Sequence, residues 1–148
     1  MKKLIFLVLS FMILCGLDAW AGISIGYVKT GDKIYFGRDI KVGISKTKII
    51  ASDGTIVKVP NNKVDAYMQD SHLFELMPLS NKSDGTAKVD MMEKITIRNG
   101  LSLYRYISNK YEQPGIVYYV FRDGKLHLIC DETNTLSVLQ FFGINVVS

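Results

Sequence analysis

The chain has 148 residues, with 18 Lys plus Arg against 14 Asp plus Glu, a formal charge of +4 and two cysteines. That surplus is too small for the electrostatic footprint of a nucleic-acid binder. No stretch carries a nucleotide, cofactor or metal pattern in the context its chemistry needs, so the expectation is a β-rich domain without a cofactor.

The first segment predicts export. Lys2 and Lys3 precede an apolar run from Leu4 to Leu14, and the segment closes on Ala19-Trp20-Ala21. A basic start, a short apolar core and an A-x-A-like end are what the export machinery and its peptidase read, so residues 1–21 are expected to be cleaved. A retained membrane helix wants about 20 apolar residues, and Asp18 interrupts the run before that. Lipidation at Cys15 is the other alternative, but Leu14 stands where a small residue belongs. The destination is then periplasm, cell surface or medium, with no transmembrane anchor after cleavage. Residues 22–148 are expected to form one domain, of charge about +3 once Lys2, Lys3 and Asp18 are gone. Only Cys130 remains, so an internal disulfide has no second thiol.

Beyond Gly22 the chain alternates apolar and polar residues between turn dipeptides, the signature of antiparallel hairpins. Lys41, Lys46, Lys48 and Lys58 gather in one region, either as a solvated strand face or as a patch for an anionic surface such as lipid headgroups or polysaccharide. Asp53-Gly54 predicts a turn between Lys48–Ala51 and Ile56–Val59. Val64–Gln69 and Leu73–Met77 predict a hairpin around Asp70-Ser71, with a short helix as the alternative, and the polar Asn81–Gly85 a loop. Ala87–Arg98 predicts a long strand with Ala87, Val89, Met91, Ile95 and Ile97 on one face and Lys88, Asp90, Lys94, Thr96 and Arg98 on the other; Met92 and Glu93 break the alternation.

Asn99-Gly100 and Asp123-Gly124 suit two-residue turns that need positive φ at both positions, and Gln113-Pro114-Gly115 a type II turn. In the last hairpin a regular register puts Val117, Tyr119 and Phe121 on one core face with Leu126, Leu128 and Cys130. Tyr118, Val120, His127 and Ile129 fall opposite, too apolar to stay wet, so something should cover them. Thr133 or Asn134 is expected to cap a short helix through Leu136, Val138, Leu139, Phe141 and Phe142, stopped by Gly143. The expected fold is mainly β, an antiparallel hairpin meander forming an open barrel or a two-layer sheet, with one short C-terminal helix.

Few residues invite chemistry. Gly22-Ile23-Ser24-Ile25-Gly26 spells G-x-S-x-G but lacks the strand-to-helix context of a nucleophile elbow. His127 and Cys130 differ by an odd number and so leave a regular strand on opposite faces, which argues against a shared metal. His72 sits beside a turn tip and needs no special role. Glu75 and Glu93 each interrupt an apolar face; with His127 at a barrel mouth they offer an acid and base pair for a small hydrolase or lyase, and otherwise mark a bulge or a paired carboxylate. Tyr104 and Tyr106 share a face and Tyr118 lies on a neighbouring strand, a row suited to a sugar or a peptide and equally to cross-strand packing.

Asp53-Gly54-Thr55, Leu101-Ser102-Leu103-Tyr104-Arg105-Tyr106 and Tyr118-Tyr119-Val120-Phe121 leading into Asp123-Gly124-Lys125 give the chain a pattern that resembles the small exported β-rich proteins of unknown function common in Bacteroidota-type bacteria. The resemblance implies export and a binding module, and it implies no catalytic residue. The expected function is a non-catalytic envelope module for a protein, peptide or glycan, with the hydrolase or lyase, and a lipid-binding cup, as alternatives.

Overall fold

The computed structural model describes residues 25–81, 86–108 and 115–145. The leader, the loop positions 82–85 and the Gln113-Pro114 turn expected above lie outside them. Among the described residues the chain forms β1 (Gly26–Thr30), β2 (Lys33–Gly37), β3 (Asp39–Val42), β4 (Lys46–Ile50), β5 (Ile56–Pro60), β6 (Ala66–Gln69), β7 (His72–Pro78), β8 (Val89–Arg98), β9 (Leu101–Ser108), β10 (Gly115–Arg122), β11 (Lys125–Ile129) and α1 (Thr135–Phe141). All strand pairs are antiparallel. Eight strands form one sheet in the order β11-β10-β9-β8-β7-β6-β1-β2, and β3-β4-β5 form a second. With β2 and β11 at its edges the large sheet does not close into a barrel.

The turns follow from local chemistry. Asp70-Ser71, Asn99-Gly100 and Asp123-Gly124 all hold positive φ at both central positions, the geometry that matches a tight turn to the twist of its strands. The loop at Asp53-Gly54 is longer: Ala51 N donates to Thr55 O, Gly54 N donates to Ala51 O, and the Asp53 carboxylate accepts from Thr55 N. The helix also starts differently from expectation. Asn134 precedes it without a capping side-chain bond, and the Asp131 carboxylate instead accepts from the Thr133 and Asn134 N–H groups. Gly143, at φ 78°, ends it as expected.

Two β-bulges redirect the faces. Between β10 and β11 the pairing runs Phe121 with Leu126 and then Val120 with Leu128, so His127 is an extra residue. Leu126 therefore stays with Phe121, whereas Leu128 and Cys130 turn to the other face, correcting the regular register expected for that hairpin. Between β8 and β9 Lys94 pairs with Tyr104 and Thr96 with Leu103, leaving Ile95 extra. Beyond it the faces of β8 swap: Ile97, expected inward, is 60% exposed, and Arg98 reaches the Phe141 carbonyl at the end of α1.

Both faces of the large sheet carry a core. On the reverse face lie Met92, Tyr104, Tyr119, Phe121 and Leu126, with Met77 and Leu79 packed against them; burying each such side chain contributes about 1.5–3 kcal/mol. The front face is covered in two places. Helix α1 brings Leu139 and Phe142 onto Leu103, Val120 and Cys130, with Tyr118 alongside, which supplies the cover expected over Tyr118 and Val120. Ile129 instead pairs with Tyr119, turns to the reverse face and stays partly exposed. At the opposite end Ile40, Ile49 and Val59 of the small sheet pack on Val28 and Val64.

That second contact depends on two glycines paired in register, Gly26 and Gly37. A Cβ on Gly26 would lie 2.5 Å from the Met68 carbonyl oxygen and 2.6 Å from Ile40, and one on Gly37 would lie 2.7 Å from Ile49. Their missing side chains let the small sheet approach. No helix among the described residues is long and apolar enough to cross a membrane.

Candidate functional site

The small sheet and α1 cover the two ends of the front face and leave its middle open. A single register row crosses that face: Tyr35, Val28, Tyr67, Phe74, Glu93, Arg105 and Tyr118 are successive partners on β2, β1, β6, β7, β8, β9 and β10. Neighbours in such a row sit about 5 Å apart, close enough for side chains to interact. Tyr67 packs on the small-sheet core and Tyr118 on the helix core. Phe74, Glu93 and Arg105 lie between them.

Tyr67 and Phe74 stack, with ring centroids 4.6 Å apart and planes 12° from parallel. Next to them Glu93 is only 7% exposed, and a carboxylate so enclosed needs partners. Arg105 provides two donors to Glu93 Oε2, from Nε at 2.9 Å and from Nη2. His72 Nδ1 lies 2.5 Å from Oε1. Burial pushes the Glu93 carboxyl up, but the hydrogen bonds and charges of His72 and Arg105 outweigh it and hold the group below its ordinary value. Tyr67 is pushed up, by burial first and then by the Glu93 charge. Glu93 thus stays ionised near neutral pH.

This row bounds an open cleft of about 410 Å³ whose walls also include Lys88, Asp90, Met91, Tyr106 and Ile107. Its lining combines the flat carbon of Tyr67 and Phe74 with the paired Glu93 and Arg105 side chains, while Asp90 and Tyr106 border it from strand positions whose side chains turn to the reverse face.

The residues singled out from sequence fall elsewhere or play other parts. Glu75 pairs with Met92 while its neighbour Phe74 pairs with Glu93, so the two glutamates project from opposite faces. On the reverse face Glu75 Oε2 accepts from the Tyr104 hydroxyl at 2.5 Å and lies 3.2 Å from Lys94 Nζ. His127 stands at the β11 bulge, three strand spacings from Glu93, about 14 Å along the sheet. There it lines a separate apolar groove of about 280 Å³ beside α1 with Leu128, Val138 and Phe141. The structure does not bring Glu75, Glu93 and His127 together, and Glu93, ionised and held by His72 and Arg105, has no proton to give near neutral pH.

Tyr104 and Tyr106 do share the reverse face. Tyr104 is 3% exposed and Tyr106 donates to Asp90 Oδ2 at 2.9 Å, while Tyr118 projects from the front. Burial first, and then the Glu75 hydrogen bond and charge, raise the Tyr104 phenol well above its ordinary value. Cys130 is buried in the helix core and its thiol is pushed up, chiefly by that burial.

Sequence reasoning did not single out Tyr67, Phe74 or Arg105, and it gave His72 no role, whereas the structure sets that imidazole against Glu93. Glu93 was the legible signal, since a glutamate that interrupts an apolar strand requires a partner. The bulge hid which one. Counting back from the Asn99-Gly100 turn without Ile95 as an extra residue sets Glu93 against Tyr106, not Arg105.

No family model, no curated protein and no solved structure matches the chain.

Proposed function

We propose that this protein is a non-catalytic binding module of the cell envelope, exported by the segment ending at Ala21, and that its front-face cleft takes a glycan segment. The observation that carries the reading is the Tyr67–Phe74 stack set beside the Glu93–Arg105–His72 cluster in an open cleft of about 410 Å³. A sugar ring has apolar C–H faces that lie against aromatic carbon and a rim of hydroxyls that pair with carboxylate and guanidinium groups. The lining offers both, with the Arg105 guanidinium balanced by the Glu93 carboxylate that it holds. That balance favours a neutral polar ligand over a charged peptide, and the open mouth and polar walls disfavour a lipid tail, which wants an enclosed apolar cavity.

Glu93 and Arg105 hold each other in place, so the polar groups are fixed before a ligand arrives and less ordering entropy is lost on binding. The test is calorimetric titration of the protein with neutral oligosaccharides of hexose and N-acetylhexosamine type, repeated on Phe74→Leu, which keeps apolar bulk and removes the flat ring. Binding by the parent that falls at least tenfold in Phe74→Leu, with the melting temperature little changed, is the expected result. Binding indifferent to Phe74→Leu, or a preference for peptides over every saccharide, would refute the assignment.

A further inference from the structure

The small sheet carries a second surface, on the side facing away from the cleft. Lys41, Lys48 and Lys58 are direct cross-strand partners on β3, β4 and β5, and Lys46 lies two residues from Lys48 on the same face. All four are exposed. Like charges set directly opposite one another destabilise a sheet, and lysines that guard against aggregation belong on edge strands, whereas Lys48 is on the central strand. Lys41 lies 3.4 Å from Asp39; Lys46, Lys48 and Lys58 have no carboxylate within ion-pair distance among the described residues. The basic character continues around β5 into a groove of about 520 Å³ that includes Lys33, Lys58 and Lys63.

At one end of this basic face the β3–β4 turn holds Ile44 entirely in solvent, with 105% relative exposure, next to half-exposed Val42. The turn is braced rather than loose. Asn61 Nδ2 donates to the Gly43 carbonyl at 2.7 Å and to the Ile44 carbonyl at 3.2 Å, and Asn61 N donates to the Ser45 carbonyl. Thr47 Oγ1 donates in turn to Asn61 Oδ1 at 2.9 Å, and Gly43 N donates to Lys46 O. The carbonyls of Gly43, Ile44 and Ser45 are therefore all satisfied within the protein. A tip with that property enters a poorly hydrated layer without stranding a backbone carbonyl. The acidic residues Asp39 and Asp53 stand at the other end of the sheet, where β3 starts and β4 turns into β5.

We propose that this face docks the protein on an anionic lipid surface, with Lys41, Lys46, Lys48 and Lys58 over the headgroups and Ile44 as an apolar wedge. A lysine near such a surface strengthens binding about fivefold, and the attraction fades with salt. The fixed apolar tip is what separates a membrane from a soluble polyanion, which would use the lysines alone.

The experiment is flotation of the full chain with phosphatidylcholine vesicles and with vesicles that also hold about 30% phosphatidylglycerol. All variants share one N-terminus, so its contribution is equal throughout and the excess on anionic vesicles is the readout. Lys48→Glu sets a carboxylate between Lys41 and Lys58, which favours folding while changing the patch by two charges; the expected loss is about 25-fold. Ile44→Ser, at a fully exposed position, should weaken the same excess several-fold and leave the melting temperature unchanged. No excess on anionic vesicles overturns the proposal. So does an excess that Lys48→Glu abolishes and Ile44→Ser leaves intact, which would assign the face to a soluble polyanion.

Discussion

Replacing Arg105 with Met keeps the length and apolar stem of the side chain and removes both donors to Glu93 Oε2. Glu93, 7% exposed, is then left with His72 as its hydrogen-bond partner. Removing one member of a buried ion pair costs about 3–5 kcal/mol. The cost falls below that range because the His72 contact survives and the Arg105 side chain is itself 35% exposed, giving about 2–3 kcal/mol. For a domain of this size that lowers the melting temperature at pH 7 by about 10 °C.

The pH dependence separates this mechanism from simple loss of packing. In the parent, Glu93 titrates below its unfolded value of about 4.3, so its contribution is present above that pH and is lost as pH falls through the native value. In Arg105→Met, burial is less opposed and the carboxyl moves upward, so acid relieves the penalty by neutralising the buried charge. Thermal unfolding followed by circular dichroism should show the gap between the two proteins narrowing from pH 7 to pH 4. The double variant Glu93→Gln, Arg105→Met should recover part of the loss, since no buried charge remains. A gap under about 3 °C at pH 7, or the same gap at both pH values, would refute the reasoning.

Three further outcomes follow from the packing. Gly37→Ala forces a methyl against Ile49 and the Ile50 carbonyl and should destabilise by about 1–3 kcal/mol in urea unfolding, whereas Gly115→Ala, with open space at its Cβ, should not. Ile49→Ala, at 1% exposure beneath the small sheet, should cost about 2–5 kcal/mol by the same assay. Tyr67, Tyr104, Tyr106 and Tyr119 all titrate above the ordinary phenol, so their stabilisation is complete below about pH 10 and lost as pH rises through the native values; absorbance titration should show ionisation coupled to unfolding in strong alkali.

The hairpin meander was legible because its turns are local. Asp70-Ser71, Asn99-Gly100 and Asp123-Gly124 carry the residues that positive φ favours, and the strands on either side alternate. The helix and its Gly143 stop were legible on the same grounds. The cleft was not: β6 to β9 pair in chain order, but an inserted residue decides which of their side chains meet. Ile95 shifts Glu93 onto Arg105 and His127 sends Leu128 to the front face; an extra residue leaves no clear mark in an apolar strand, yet it reverses every side chain beyond it. The folding of β3, β4 and β5 over the front face was also hidden. Its trace in the sequence is the pair Gly26 and Gly37, whose meaning appears only once they are opposite one another.

The proposed glycan site is the row through Tyr67, Phe74, Glu93 and Arg105. Two-dimensional NMR of the protein titrated with neutral oligosaccharides tests it most directly, since it reports place as well as affinity. Saturable shifts of the Arg105 side-chain Nε–H and of the Phe74, Met91 and Ile107 amides, with the His127 groove and the lysine face undisturbed, are the predicted result. Shifts confined to the groove beside α1 or to the β2 edge, with Arg105 unmoved, would contradict it.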